Sequence, residues 1–381
     1  MMIPYGRQDI SQDDIDAVVA VLRSDFLTQG PQVPRFESAV AGHVGAAHGV
    51  AVNSATSGLH VACMALDLGP GDILWTVPNT FVASSNCALY CGASVDFVDI
   101  DPVRFTMCPK ALAMKLDAAK AAGRLPKVIV PVHLTGQSAD MQAIAALARA
   151  HGIKIIEDAS HSIGATHQGH PVGDCRYSDI TVFSFHPVKI ITTAEGGLCT
   201  TQDEGLAHKM QLARSHGITR DPAHMTQAPD GPWYYQQIAL GYNYRMTEIQ
   251  AALGLSQMNR LGEMVARRRA LAARYDRLLA DLPVTLPAQA SDTASSWHLY
   301  VIQVDPAHHL RVFNGLRGAG IGVNLHYIPV HTQPYYRAMG FAPGQFPASE
   351  AYYAGAISIP LYYGLTDADQ DTVVAALQAL L

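Results

Sequence analysis

One lysine stands in an almost uncharged run, SFHPVKIITTAEGG, which covers residues 184–197. Ser184 opens this run, Lys189 follows a His-Pro-Val stretch, and Glu-Gly-Gly closes it. Many lysines at strand edges extend their ammonium group into water, and Lys189 could do the same. The other interpretation is that its amine has a reaction partner in a dry, closely shaped site.

Two further groups follow apolar runs that are typical of strands. Small and hydroxyl residues, 53–58, come after VAV, and the acid Asp158 with His161 comes after IKII. Free N–H groups at the start of a helix favour an anion such as phosphate, although ordinary N-capping gives the same residue types. An acid after a strand can likewise only cap a loop. Asp158 and Lys189 are 31 residues apart, about one strand-loop-strand excursion, so adjacent strand ends can bring them together.

One cofactor needs all three groups at once. Pyridoxal phosphate requires an anion cradle for its phosphate, a carboxylate for its ring nitrogen, and a lysine that holds its aldehyde covalently. The released lysine can then move a substrate proton as general base and acid. Small residues at 192–197 would let the backbone approach the cofactor closely. The sequence therefore predicts that Lys189 anchors pyridoxal phosphate.

The elements around these residues predict an α/β fold. Short apolar runs alternate with helical patterns up to about residue 214, which is typical of a mostly parallel sheet covered on both faces. Ser11 precedes a helical pattern as an N-cap. Residues 219–233 are polar and predict a loop, whereas 247–282 predict one long helical stretch. Further along, WHLYVIQV and VNLHYIPV predict two strands of a smaller α/β unit.

Composition excludes several classes of protein. The 381 residues are 49% hydrophobic and 15% charged, which suits a large core in two domains. The net charge of −6 and the lack of basic blocks beyond Arg267–Arg269 argue against nucleic-acid binding. No apolar run is long enough for a membrane span, and the six cysteines without a signal-like start predict a cytoplasmic protein with reduced thiols. The 17 histidines show no metal-ligand spacing, so no metal site is expected.

Seven motifs in order resemble one family of proteins. They are LTQGPQVPRFE, NSATSGLH, FVDIDP, EDASHSIGA, SFHPVK, EGG and GYNYRMTEIQAALG. The chain resembles the DegT/DnrJ/EryC1/StrS sugar-nucleotide aminotransferases over nearly its whole length. This resemblance implies a fold-type I pyridoxal-phosphate-dependent transferase of the α/β class. It implies a large domain, 1–250, with a mostly parallel seven-stranded sheet, and a smaller C-terminal α/β domain, 251–381.

The resemblance also assigns roles to residues. Lys189 would anchor the cofactor and Asp158 would pair with its ring nitrogen, while His161 would lie beside the ring hydroxyl. Ala55, Thr56 and Ser184 would hold the phosphate, and Phe81 would stack on the ring, unless it only packs in the core. Asn243 would reach the phosphate in the neighbouring subunit, which implies a homodimer with shared active sites. The substrate-binding candidates are Tyr5, Arg7, Thr28, Arg245, His326, Tyr327 and His331. For the three in LHYIPVH, a buried polar cluster is the competing interpretation.

Within the family, SFHPVKIITTAEGG, RSHGI and AALGLSQ most resemble the aminotransferases of pseudaminic acid synthesis, although Ile190 stands where that subgroup commonly has proline. The resemblance implies transfer of the amino group of L-glutamate to a UDP-linked 4-keto-6-deoxy-N-acetylhexosamine. UDP-4-keto-arabinose and dTDP- or GDP-linked keto sugars remain alternatives. A sugar dehydratase would have lost Lys189, and a dehydrogenase would carry GxGxxG after its first strand. A regulatory protein that only binds the cofactor is the non-enzymatic alternative.

Overall fold

A computed structural model describes residues 2–381, and seven of its fourteen strands form one central sheet. Most of these strands are short runs of Val, Ile, Leu and Phe buried on both faces, as a covered parallel sheet requires. The strands are β1 (His48–Val52), β2 (Ile73–Thr76), β3 (Ser94–Phe97), β4 (Val128–Ile129), β5 (Lys154–Asp158), β6 (Thr166–His167), β7 (His170–Pro171), β8 (Ile180–Ser184), β9 (Gly197–Thr201), β10 (Ile218–Thr219), β11 (Gln236–Gln237), β12 (Thr293–Ala294), β13 (Tyr300–Gln303) and β14 (Ala356–Ile359).

The order of the central sheet is β1-β9-β8-β5-β4-β2-β3. Strand β9 runs antiparallel to both of its neighbours, and the remaining pairs are parallel, so the predicted α/β class and mostly parallel sheet are confirmed. Gly197 pairs with Val52 on one side and with Ser184 on the other. This register brings the end of β1, the end of β8 and the start of β9 together at one edge of the sheet.

Helices cover the sheet on both faces, and several begin at a strong N-cap. Ser11, Thr247 and Thr366 each form a capping box with the residue three positions on, which satisfies N–H groups that a helix start leaves free. The helices are α1 (Gln12–Leu22), α2 (Gln32–Val44), α3 (Ala55–Ala65), α4 (Ala83–Tyr90), α5 (Pro109–Ala121), α6 (Met141–Arg149), α7 (Glu204–Arg214), α8 (Glu248–Met258), α9 (Leu261–Leu278), α10 (His309–Gly318), α11 (Pro334–Arg337), α12 (Pro347–Gly355) and α13 (Asp367–Leu380).

The C-terminal part has its own hydrophobic cluster around the antiparallel pair β13 and β14. The strand predicted from WHLYVIQV is present, but the strand predicted from VNLHYIPV is wrong. There Asn324 makes a single bridge to Ser358, and the chain then leaves the sheet. Pro329 has no N–H to donate to a ladder, and His326 and Tyr327 before it turn toward a cavity instead.

The helical stretch predicted over 247–282 is two helices, α8 and α9, which break at Asn259 and Arg260. Glu248 in the first turn of α8 accepts hydrogen bonds from the backbone of Gln32 and Val33, so α8 is fixed against α2. The predicted domain boundary between residues 250 and 251 falls inside α8 and stays a prediction. Across residues 2–381, no helix is both long and apolar enough to cross a membrane. All six cysteines are free thiols.

Candidate active site

A cavity of about 450 Å³ lies at the carboxyl ends of the central strands, which is where open α/β sheets bind ligands. Ten of the residues predicted from the sequence line this cavity. They are Tyr5, Ala55, Thr56, Phe81, Asp158, His161, Ser184, Lys189, His326 and Tyr327. Within residues 2–381, the lining contains one lysine and no arginine.

The first turn of α3 forms one end of the cavity. Ser54 is the N-cap and accepts a hydrogen bond from the Ser57 N–H at 3.1 Å, whereas the first N–H groups of the helix, at Ala55 and Thr56, have no intrahelical acceptor. The positive end of the helix dipole points to the same place, and Ser184 adds a hydroxyl from the end of β8. This arrangement fits a phosphate group.

Gly197 allows β9 to approach the start of α3 closely. A Cβ at Gly197 would lie 2.6 Å from the Ala55 nitrogen and 2.7 Å from its Cα, which are backbone atoms that cannot turn aside. The Gly197→Ala substitution must therefore displace the start of α3. We expect it to weaken pyridoxal phosphate binding at least tenfold, measured by fluorescence titration of the apoprotein. Gly42→Ala in α2 is the matched control. A Cβ there would meet no atom within 4 Å, Gly42 does not line the cavity, and alanine favours a helix, so this variant should fold and bind the cofactor normally.

Asp158 lies at the end of β5 and is held in place by two donors. Its Oδ2 accepts a hydrogen bond from the Ser84 hydroxyl at 2.6 Å, and its Oδ1 accepts one from the Ser160 N–H at 3.1 Å. The residue is buried, yet it lines the cavity. A carboxylate that is fixed and shielded in this way suits the protonated nitrogen of a pyridine ring.

Lys189 follows β8, is half-buried and lines the cavity. Burial lowers the pKa of Lys189 to about 8, while the negative charge of Asp158 opposes this effect. The cause is that a buried ammonium group loses its hydration. A pKa near physiological pH gives the amine a substantial neutral fraction, which is the nucleophilic form.

The lowered pKa of Lys189 predicts how the cofactor is captured. Since only the neutral amine attacks an aldehyde, the rate at which the apoprotein binds pyridoxal phosphate covalently should rise with pH and level off above about pH 8. An ordinary lysine would give a rise that continues toward about pH 10.4. Stopped-flow absorbance from pH 6 to 10 measures this dependence. A rate that is still rising steeply at pH 10 would contradict the assigned environment of Lys189.

Three histidines surround the amine, and burial keeps all of them neutral. Burial is the largest cause that lowers the pKa of His161, His298 and His326, and the charge of Lys189 adds to it; for His326 the pKa is about 3. The rings of His161 and His298 lie 4.4 Å apart. The ring of Phe81, 57% exposed, also lines the cavity and lies 6.0 Å from the ring of Tyr327. Apart from the amine of Lys189, the cavity thus offers neutral polar groups and aromatic surfaces.

The other predicted site residues lie outside this cavity. Arg7 lines a separate cleft with Tyr362 and Asp369, and Thr28 is on the surface. His331 is fully buried, and its Nε2 lies 2.9 Å from Oε1 of Glu350. For this residue the competing interpretation, a buried polar cluster, is the one that applies. Asn243 is exposed, and the half-buried Arg245 has a buried Nε without a hydrogen-bond partner among residues 2–381. Within one chain, neither of the latter two residues reaches the cavity lining.

Sequence reasoning missed Ser84 and His298. Ser84 holds Asp158 but comes from a helix of small residues, and nothing in its local sequence points to a residue 74 positions away. His298 stands just before a strand that reads as ordinary core, although a buried histidine next to a tryptophan was a signal that could have been used. In the described part of the chain, its buried Nδ1 has no hydrogen-bond partner.

One group of possible metal ligands lies elsewhere, where side-chain atoms of Asp140, His167 and Asp292 are within 4.8 Å of one another. The Arg104 guanidinium is 4.0 Å from Asp140 and 3.6 Å from Asp292, so it already serves as the counter-ion of both carboxylates. The absence of a metal site stays a prediction.

The residues present fit pyridoxal phosphate. The free N–H groups of α3, the fixed carboxylate of Asp158 and the amine of Lys189 converge on one cavity, and the close contact of Gly197 with Ala55 holds the start of α3 in place. When bound, the cofactor supplies an electron sink for a substrate carbon that loses its proton. The fold and the site therefore define a pyridoxal-phosphate-dependent transaminase.

The chain belongs to the DegT/DnrJ/EryC1/StrS aminotransferase family, whose model matches residues 8–378. It is 38% identical to the spore coat polysaccharide biosynthesis protein SpsC of Bacillus subtilis, covering 100% of this chain and 97% of that protein. Among solved structures, it is similar to the PMP form of the putative sugar aminotransferase Spr1654 of Streptococcus pneumoniae, with a TM-score of 0.91, 29% identity, and 99% and 98% coverage. It is also similar to Helicobacter pylori PseC, an aminotransferase involved in the biosynthesis of pseudoaminic acid, with a TM-score of 0.91, 30% identity, and 100% and 99% coverage. The protein is thus a sugar aminotransferase that depends on pyridoxal phosphate.

Proposed function

We propose that this enzyme transfers the amino group of L-glutamate to the C4 keto group of a UDP-linked 4-keto-6-deoxy-N-acetylhexosamine of the pseudaminic acid type. The observation that carries the chemistry is that the amine of Lys189, whose pKa is lowered to about 8, and the carboxylate of Asp158 line one cavity. The choice of sugar is supported by the sequence motifs around Lys189 and by the likeness to PseC. The relative SpsC, which serves polysaccharide synthesis, also favours a sugar-nucleotide product.

The roles of the chain's own residues follow from their positions. Lys189 would hold the cofactor, and its neutral Nζ, once released by an amine substrate, would move the proton of the substrate carbon as base and acid. Asp158 would keep the ring nitrogen protonated, and the first N–H groups of α3 with Ser184 would hold the phosphate. Tyr5 and His326 are placed to offer hydrogen bonds to the oxygens of a sugar.

We further propose that the active enzyme is a homodimer whose two sites are shared. Within residues 2–381, no arginine lines the cavity, yet the carboxylates of glutamate and the diphosphate of a nucleotide sugar need positive partners. Asn243 and Arg245 lie outside the cavity of their own chain, and four large apolar side chains precede them on the surface. These are Trp233, Tyr235, Ile238 and Leu240, which are 74%, 51%, 38% and 72% exposed. If a partner subunit covers this apolar surface, Asn243 and Arg245 of one chain would reach the cavity of the other chain.

The sugar is tested by the two half-reactions, followed through the absorbance of the bound cofactor. Glutamate should convert the lysine-bound form to the amine form, and a panel of keto nucleotide sugars is then offered one at a time. Return of the lysine-bound form with the UDP-4-keto-6-deoxy-N-acetylhexosamine alone supports the proposed substrate. Return only with UDP-4-keto-arabinose or with a dTDP- or GDP-linked sugar rejects that substrate and keeps the aminotransferase.

Shared sites are tested by mixing two defective variants, Lys189→Ala and Asn243→Ala. In a mixed dimer one site has both residues intact, so activity should return toward about a quarter of the wild-type level after random exchange of subunits. Each variant alone, treated in the same way, is the control. If mixed dimers form by mass spectrometry and activity does not recover, the sites are not shared through Asn243.

A further inference from the structure

The protonation of His161 is fixed by its surroundings. The backbone N–H of Thr135 donates a hydrogen bond to His161 Nδ1 at 3.2 Å, so this nitrogen carries no proton. Burial and the charge of Lys189 lower the pKa of His161, so the ring is neutral and its single proton is on Nε2. That Nε2 lies 3.1 Å from the hydroxyl oxygen of Tyr327. His161 therefore donates its only proton to Tyr327.

The Tyr327 hydroxyl is left with its own proton to donate. Among residues 2–381, the structure gives this oxygen one hydrogen-bond partner, His161 Nε2. Burial raises the pKa of Tyr327, and the charge of Asp158 raises it further, so the phenol keeps its proton. Since Tyr327 lines the cavity, this proton is available to an acceptor on a bound molecule.

The chemistry of the cofactor identifies that atom. Three anchors would fix the pyridine ring: its nitrogen at Asp158, its phosphate arm at the start of α3, and its aldehyde carbon at Lys189. The ring oxygen is on the edge of the ring away from the phosphate arm, and His161 and Tyr327 line the same cavity from segments other than α3. His161 already donates its one proton to Tyr327, so it has none left for the ring oxygen.

We propose that Tyr327 donates the hydrogen bond to the ring oxygen of the cofactor, and that His161 is a positioning residue acting through Tyr327. This differs from the role that the family resemblance gives to His161, which was direct contact with the ring hydroxyl. The inference rests on the proposed attachment of the cofactor to Lys189.

The backbone around His161 is built to hold this arrangement. Thr135 has a φ of 62° and presents its N–H to His161. This is a left-handed conformation that a threonine adopts only under constraint. The C-terminal segment supports the same turn, because the Leu299 N–H donates to the Thr135 carbonyl at 3.2 Å and the Ser296 hydroxyl donates to the His161 carbonyl at 3.1 Å. Packing of the C-terminal segment against the turn at Thr135 thus fixes the tautomer of His161.

The test is a pH titration of the visible absorption band of the lysine-bound cofactor in the full-length holoenzyme. A donor to the ring oxygen stabilises its anionic form, so the nitrogen linked to Lys189 becomes less basic and loses its proton at lower pH. Tyr327→Phe removes only the hydroxyl and should raise the titration midpoint by about one to two pH units. His161→Gln, whose amide can both accept from Thr135 and donate to Tyr327, should keep the midpoint near that of the wild type.

A double-mutant comparison separates the two donors. His161→Leu should raise the midpoint, and Tyr327→Phe combined with His161→Leu should give the same midpoint as Tyr327→Phe alone, because both changes act through one hydrogen bond. An unshifted midpoint in Tyr327→Phe, or additive shifts in the double variant, would overturn the proposal and make His161 the direct donor. If the wild type shows no band of a lysine-bound cofactor, the proposed attachment to Lys189 is wrong, and this result is distinguishable from an unshifted midpoint.

Discussion

Replacing Lys189 with alanine is expected to abolish transamination, with kcat/KM lower by about 10³-fold or more. The amine is both the covalent anchor and the group that moves the substrate proton, so one substitution removes two functions. The fold should survive, because burial already disfavours the charged form of this lysine. Steady-state kinetics and thermal unfolding of the purified variant measure both effects.

The control for this variant is Lys110→Ala, which removes an exposed lysine on α5 and should leave kcat/KM unchanged. The Lys189→Ala protein should still bind pyridoxal phosphate through the phosphate and ring contacts, without the absorption band of a lysine-bound cofactor. Retention of that band, or a loss of activity below tenfold, would contradict the role of Lys189.

Asp158→Asn should give the second largest loss, about 10² to 10⁴-fold in the rate of the half-reaction with glutamate. Asparagine keeps the size of the side chain and can still accept the Ser160 hydrogen bond, but it cannot keep the ring nitrogen protonated. The electron sink then weakens while the cofactor remains attached. Rapid mixing with glutamate, followed by absorbance, measures this rate directly.

Glu157, the preceding residue, is a matched control for Asp158. It is equally buried, but its carboxylate binds His133 at 2.7 Å and Ser178 at 2.5 Å, away from the cavity. Glu157→Gln should lower the free energy of unfolding by about 1–3 kcal/mol and leave the half-reaction near its normal rate. Equal loss of activity in both variants would mean that the loss at Asp158 comes from general disruption.

Much of the site could be predicted from the sequence because the carboxyl ends of sheet strands meet at one edge. Asp158 and Ser184 end the neighbouring strands β5 and β8, and the helix α3 follows β1 directly. Once each strand is recognised by its apolar run, the residues after it are candidates for one cavity. The lysine follows from the same logic, since it lies in the loop after β8.

The C-terminal contribution could not be predicted in this way. VNLHYIPV has the composition of a strand, and only its position over the cavity turns it into a loop that places His326 and Tyr327 on the ligand side. His331, in the same segment and of the same chemical type, instead faces Glu350. Sequence identifies which side chains can do chemistry, whereas packing between distant segments decides which of them reach the cavity. The contact of Ser84 with Asp158 is a further case of this kind.

The most direct test of the central claim, that Lys189 anchors the cofactor of a transaminase, is borohydride reduction followed by peptide mass spectrometry. The holoenzyme is reduced once as purified and once after excess glutamate. We predict a pyridoxyl group on the peptide that contains Lys189 in the first sample, and little or none in the second, because glutamate releases the lysine. A label on another lysine, no label at all, or a Lys189 label that glutamate does not diminish would contradict the account.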